Sequence, residues 1–452
     1  MSSNKSSGKF TLAILLFCVC FHGASPFQSA ELHAQGHVKA VYRLPKISIK
    51  EFQNAQFPGS VANDRKLLLG SMGSDLWHDV GADAGEFWMV TDRGPNGQGR
   101  IDGKKRRTFW IPEFNPTVLR VKAEGDSIRI LETVPIVGRS GKPVTGMSNL
   151  EKLDETPYDF TAQKTLGYNV NGMDTEGLVR LKNGEFWLTE EYRPSLIHID
   201  RNGKVIKRIV PVGLKLTGAD YTVQEKLPAI LNRRKINRGF EGLAVSSDEK
   251  TLYAVLQSPL SNPKKKTGEQ SRATRVYVFD REKERVTAEY VYQFDEAVKF
   301  DPRPKMERDE MKLSAVAYLN PNTLLVLERT DWVAKLYSVD LGKATNILAS
   351  KWDDPNTAPS LEALPDPASA DLRVLPKTLV LDLSRFKEVP EKIEGIAVID
   401  RNTIAISNDN DFDNEDGKYD NQGNNIGKGR MSEIVIIALD KPLPLPSQVV
   451  AR

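Results

Sequence analysis

An internal repeat constrains this chain more than any other feature. Four segments align: DTEGLVRLKNGEFWLTEE (174–191), GFEGLAVSSDEKTLYAVLQ (239–257), KLSAVAYLNPNTLLVLER (312–329) and KIEGIAVIDRNTIAISND (392–409). Each opens on an apolar strand, turns through Asn-Gly, Ser-Asp-Glu-Lys, Asn-Pro-Asn or Asp-Arg-Asn, and returns on a strand that ends in polar residues. Short apolar runs around such turns read as β-hairpins. The aligned positions Glu176, Glu241, Ser314 and Glu394 are 65, 73 and 80 residues apart. A weaker copy has its return strand in EFWMVTDR (86–93), and the gap from there to Glu176 is long enough for one more unit. Two further strands follow most hairpins, as in SLIHID and KVIKRIVP (195–211) or TRVYVFD and RVTAEYVY (274–292). Four antiparallel strands per unit, repeated radially, make the blade of a β-propeller.

The expected fold class is therefore all-β, a β-propeller of four-stranded antiparallel blades. A blade of about 70 residues divides the chain into roughly six blades, with five or seven as alternatives. EIVIIALD (433–440) sits where a third strand belongs, so VYRLPKISIK (41–50) is expected to supply that blade's outer strand and tie the two ends together. Such a closure removes two exposed sheet edges. The polar or Pro-rich insertions at 213–238, 258–272, 351–374 and 410–430 read as loops on the faces.

The N-terminus is of another kind. Lys5 and Lys9 precede the apolar run FTLAILLFCVCF (10–21), and small residues including Ala24, Ala30 and Ala34 follow. The run is too short to span a bilayer and has the length of a signal-peptide core, with an uncleaved anchor as the alternative. The expected organisation is a signal peptide over 1–34, a single domain over 35–452, and a secreted or periplasmic protein with no later membrane span. Both cysteines, Cys18 and Cys20, lie in the leader, so the mature protein would have neither disulfides nor thiolate metal sites. With 63 basic and 60 acidic side chains, the net charge of +3 gives no drive toward nucleic acid. Five histidines leave little for a histidine-based metal centre; His198, in LIHID, reads as an ordinary strand residue.

In a propeller the innermost strands line a central channel. The pairs Glu176-Gly177, Glu241-Gly242 and Glu394-Gly395 stand at the starts of three such strands. Three glutamates converging on an axis repel one another unless something neutralises them. A hard cation with oxygen ligands meets that need, and calcium suits flexible carboxylate rings. Alternatively, each Glu staples a neighbouring blade through its backbone. The ends of the second strands supply a further polar set: Asp92-Arg93, Glu190-Glu191, Gln257, Glu328-Arg329 and Asp409. NDNDFDNEDGKYDNQGNN (408–425) carries alternating Asp409, Asp411 and Asp413, as early calcium-loop ligands do, but Asn414 and Asp420 stand where the helix–loop–helix motif wants Gly and Glu. A solvated acidic loop is the other reading. Arg93, Arg193 and Arg329 fall at or beyond strand ends, and arginine near acids suits a phosphate or carboxylate substrate. Lys226, Arg233, Arg234, Lys235 and Arg238 could widen an anion-attracting mouth. The sequence has no G-x-S-x-G elbow, HExxH signature or GxxxxGK[ST] loop.

NRGFEGLAVSSDEKTLYAVLQSPL (237–260), together with 174–200, 392–412 and DRGPNG (92–97), resembles the phytase-like family described as "esterase-like activity of phytase". The resemblance covers about residues 60–440. It implies an exported β-propeller and, loosely, hydrolysis of phosphoesters or simple esters. By that likeness Glu176, Glu241 and Glu394 would be metal ligands, with Asp92, Glu191 and Asp409 near them, and the loop reading adds Asp411 to the metal candidates. LGSMGSDLWHD (69–79) lacks a Glu-Gly pair, and Ser314 replaces a Glu, so the ring is incomplete. The leading expectation is a monomeric, calcium-dependent hydrolase of a small anionic substrate. A carboxylate, Glu191, would serve as base, and Arg93 or Arg193 would stabilise developing charge. A non-catalytic binding propeller and a lactonase-like propeller are the alternatives.

Overall fold

The computed structural model describes residues 36–414 and 417–446. The expected leader over 1–34, with Cys18 and Cys20, lies outside them. The described chain is mostly strand, with few and short helices. Among the described residues, no helix is long and apolar enough to cross a membrane.

The strands fall into five groups of four, each antiparallel and each starting from an inner strand. The inner strands are Leu76–Trp77, Thr175–Arg180, Phe240–Val245, Lys312–Asn320 and Ile393–Asp400. The second group carries a fifth strand, Thr222–Leu227, added in parallel to Val205–Pro211. The fifth group is completed from the other end of the chain: Gly36–Arg43 pairs antiparallel with Glu433–Leu439, as the closure predicts, although the strand starts earlier and residues 49–56 turn into a short helix. A single parallel pairing, Arg43 with Ser127, joins the fifth group to the first.

Five apolar cores alternate with these groups. Trp88 and Val118 of the first group pack with Leu188 and Ile197 of the second. Trp187 and Ile209 of the second pack with Leu243 and Ala254 of the third. Val255 and Val276 meet Val316 and Val326, Leu325 and Leu336 meet Ile396 and Ile404, and Ala405 and Ile434 return to Leu76 and Met89. Every sheet thus buries both faces, which is why strands such as Phe240–Val245 are buried along their whole length instead of alternating. The ring closes on five groups, not on the expected six. The gap from residue 93 to Glu176, which looked long enough for a unit, contributes the two outer strands of the first group, Thr117–Glu124 and Ser127–Pro135. The rest forms a small separate sheet: the hairpin Asn96–Ile101 and Lys104–Phe109, with Pro157–Asp159 added in parallel.

The inner strands crowd the axis, and this explains the glycines after the glutamates. A Cβ at Gly177 would lie 2.5 Å from the Leu243 nitrogen, and one at Gly242 would lie 2.6 Å from the Ser314 oxygen. The first group meets the same crowding with a staple. Its Ser74-Asp75 stands where three of the other strands have Glu-Gly, and Asp75 accepts 2.8 Å hydrogen bonds from its neighbour Leu76 N and, in the adjoining second group, from Leu178 N. Burial raises the Asp75 carboxyl well above the usual range. Asp75 thus makes the cross-group backbone contact that was weighed for the glutamates.

Candidate functional site

The starts of the inner strands and the ends of the second strands meet at one mouth of the ring. There they enclose a cavity of about 310 Å³. Asp92, Arg93, Glu176, Glu191, Glu241, Glu394, Asp409 and Asp411, all picked from sequence, line it. So do Asp174, Gln257, Arg238, Lys312, Arg329 and Lys392, which were not among the picked ligands or catalytic groups. Arg193 does not. Its Nε donates to Asp154 at 3.2 Å and its backbone N to Glu190 at 2.5 Å, so it braces the wall from outside. Glu190, the neighbour of Glu191, is also structural, held by Arg208 at 2.8 Å.

The carboxylates form two clusters that share one member. Oxygens of Asp174, Glu176 and Glu191 lie within 4.8 Å of one another, as do oxygens of Glu176, Glu241 and Glu394. All five residues are buried. Burial, then the charges of Glu241, Asp174 and Glu191, hold the Glu176 carboxyl well above the usual range. Burial followed by Glu241 does the same to Glu191, and burial followed by Asp409 to Asp92. Glu176 Oε2, Glu241 Oε2 and Gln257 Oε1 are buried and accept no hydrogen bond. Buried acceptors left unpaired cost of order 1–3 kcal/mol each. Oxygen donors in this arrangement fit a hard divalent cation.

The glutamate ring is asymmetric, because Glu394 already has a counterion. Arg329 pairs with it, donates to Ser314 Oγ at 2.8 Å and reaches Asp331 at 3.0 Å. At position 314, where the repeat would set a fourth glutamate, a serine hydroxyl accepts the Arg329 Nε and donates to Glu241 at 3.3 Å. The acidic loop is likewise neutralised from within. Lys392 pairs with Asp411 and lies 3.7 Å from Asp409, and Ser71 Oγ donates to Asp409. Burial works upward on Asp409, but Lys392 and Ser71 leave it below the ordinary carboxylate range. Asp413 spends its oxygens on the backbone of Lys428 at 3.0 Å and Gly429 at 2.6 Å, tying its own loop together. The carboxylate oxygens left open therefore belong to Glu176 and Glu241, while Asp174 is paired with Arg93 at 3.3 Å. Asp174 carried a readable signal, two residues ahead of Glu176 in the same repeat.

Comparison with known proteins follows this geometry. An "Uncharacterized secreted protein" of Arthroderma benhamiae is 27% identical over 310 residues, which is 58% of this chain and 59% of that protein. The chain thus spans about three fifths of that curated relative's length. Among solved structures, a luciferin-regenerating enzyme is 11% identical, with 83% of this chain and 96% of that one covered at a TM-score of 0.34. A calcium-binding regucalcin of Agrobacterium tumefaciens is 9% identical, with 83% and 92% covered, also at 0.34. A family model matches residues 74–412, from the first inner strand to the acidic loop, and this chain belongs to that family, Phytase-like, described as esterase-like activity of phytase.

Proposed function

We propose that this protein is an exported, calcium-dependent hydrolase of phosphate esters or simple esters, built on a five-bladed propeller and working at its acid-lined mouth. The observation that carries the reading is the set of buried, unpartnered oxygens on Glu176, Glu241 and Gln257 inside two overlapping carboxylate clusters. Glu176, Glu241 and Glu394, whose oxygens lie together, would hold the calcium, with Asp174, Asp92, Asp409 and Asp411 in the surrounding field. Calcium in such a site screens the carboxylates, draws in an ester oxygen and makes bound water more acidic. Glu191, beside the ligands, takes the proton of the attacking water. Arg93, held by Asp174 at 3.3 Å and by the Gly146 carbonyl at 2.9 Å, fixes the acidic wall and presents positive charge to the cavity. Arg193 supports that wall through Asp154. Export rests on the leader's composition and on the likeness to a secreted protein of Arthroderma benhamiae.

Metal content of the mature protein, before and after chelation, tests this together with a phosphatase and esterase panel that includes lactones. Near-stoichiometric calcium, with turnover lost on chelation and restored by calcium, is expected. Calcium without turnover would leave a binding propeller; turnover confined to lactones would move the substrate class.

The pH dependence follows from the carboxyls. Glu176, Glu191 and Asp92 are raised, so the metal-free fold keeps protons that the unfolded chain releases. That stability is full below about pH 4 and is lost as pH rises above the ordinary carboxylate range. Calcium displaces those protons and so binds more tightly at higher pH. The melting temperature of calcium-loaded protein minus that of chelated protein is expected to widen between about pH 5 and 8. A gap that stays flat across this range would contradict the raised carboxyls.

A further inference from the structure

We infer that the anionic group of the substrate is held by Arg238 and Lys312, in the same cavity as the carboxylate clusters and within electrostatic reach of Glu191 and Glu241. This rests on the hydrolase reading above for the reaction, but the subsite stands on its own geometry. Its ligand is a phosphate group, the leaving or transferred part of a phosphate ester.

The cavity has six cationic side chains in its wall, and most are already committed. Arg93 is bound to Asp174, to the Gly146 carbonyl and to Asn237 at 3.2 Å, with its guanidinium 4.1 Å from the centre of the Tyr192 ring. Arg107 is held by Glu155 at 3.0 Å and Asn96 at 2.8 Å. Arg329 is divided between Ser314, Asp331 and Glu394. Lys392 belongs to Asp411 and Asp409. These four are counterions of the fold, and drawing any of them to a ligand would uncover a carboxylate.

Arg238 differs. Its Nη1 donates to Ser258 Oγ at 3.1 Å, and no carboxylate lies within ion-pair distance of it among the described residues. Half-buried at the rim, it keeps donors free for a ligand. Lys312 gives one hydrogen bond to Asp331 at 2.8 Å, and Asp331 is shared with Arg329. An ammonium has three donors, so two remain. The backbone holds the two cations on adjoining segments: Ser258 follows Gln257, whose carbonyl accepts the N–H of Leu313 at 3.0 Å. Burial, then the neighbouring charges of Arg329 and Arg238, bring the Lys312 amine down to about 7. An anion seated between Arg238 and Lys312 relieves that repulsion, and charge-assisted bonds from both would fix it. A fork from the arginine and a point charge from the lysine suit a tetrahedral oxyanion.

Inorganic phosphate, titrated calorimetrically into the mature protein with and without calcium, tests the subsite. Arg238→Gln and Lys312→Met are each expected to weaken phosphate binding tenfold or more, with Arg238→Lys in between, while melting temperatures stay near wild type. With a phosphate ester as substrate, Arg238→Gln should act mainly on KM. Phosphate binding by Arg238→Gln equal to wild type overturns the proposal, as does a wild-type protein that binds no phosphate. Turnover that ignores Arg238 also overturns the subsite and leaves the hydrolase standing. Phosphate binding that depends on Arg238 and Lys312 without any turnover keeps the subsite and ends the hydrolase reading.

Discussion

Replacing Glu176 and Glu241 together by glutamine is expected to abolish calcium binding and hydrolysis while leaving the metal-free fold at least as stable as wild type. Glu176 belongs to both carboxylate clusters, and each residue has a buried oxygen without a hydrogen-bond donor. Glutamine keeps the volume and removes two charges that burial disfavours. The fold therefore loses repulsion, and the site loses its hard anionic ligands. At calcium a hundredfold above its dissociation constant, the wild type gains about 2.7 kcal/mol from the metal, and the double variant none of it. Turnover should fall by about 10³-fold, the scale for losing a main electrostatic stabiliser. Calcium titration followed by thermal unfolding, beside the hydrolase assay, reads both effects. A double variant that still gains stability from calcium would place the metal elsewhere. Sharply lower stability in the metal-free state would show instead that the two glutamates are structural.

Arg329→Met is expected to destabilise the fold by about 3–5 kcal/mol, the scale for leaving a buried charge unpaired. Arg329 is fully buried and serves three acceptors on two neighbouring groups: Ser314, Asp331 and Glu394. Its loss strands Glu394 at the start of the fifth inner strand and shifts Asp331 onto Lys312 alone. Adding Glu394→Gln should recover a large part of the loss, because the pair is coupled and its members are not independent. Urea unfolding of the two single variants and the double variant makes the cycle. A single variant within about 0.5 kcal/mol of wild type, the range of an ordinary surface substitution, would remove Arg329 from the role of ring counterion.

Much of the candidate site was legible because the repeat places like residues at like depths. Once four hairpins align, Glu176, Glu241, Ser314 and Glu394 share one level, and the second-strand ends share another. The structure brings both levels to one cavity. The alignment could not show which of these side chains are already committed. Arg193 sits in a strand-end position like Arg93, yet turns to Asp154 across a long insertion. Arg238 read as one of a run of basic loop residues, yet it alone of that run lines the cavity. Lys312 and Lys392 open inner strands two residues before the ring position and pass for ordinary solvated strand starts in sequence. Partners 19 to 39 residues away in the chain decide all four cases, and the spacing of the repeat does not encode them.

The sequence by itself determined the all-β hairpin repeat, the closure of the last sheet by the N-terminal strand, and the ring of glutamates with glycines behind them. Each of these follows from local chemistry: turn residues between apolar strands, and a strand start where a Cβ cannot fit. The tertiary structure decided the number of groups, the asymmetry of the ring and which cations of the cavity wall are already paired. Length cannot fix the number of groups, because the insertions between strands vary, and the hairpin at 96–109 with its partner strand took the residues that a sixth group would need. The asymmetry depends on which cation reaches which acid. That is settled by five sheets packing face to face, where one arginine from the fourth group reaches Glu394 of the fifth and leaves Glu176 and Glu241 with open oxygens.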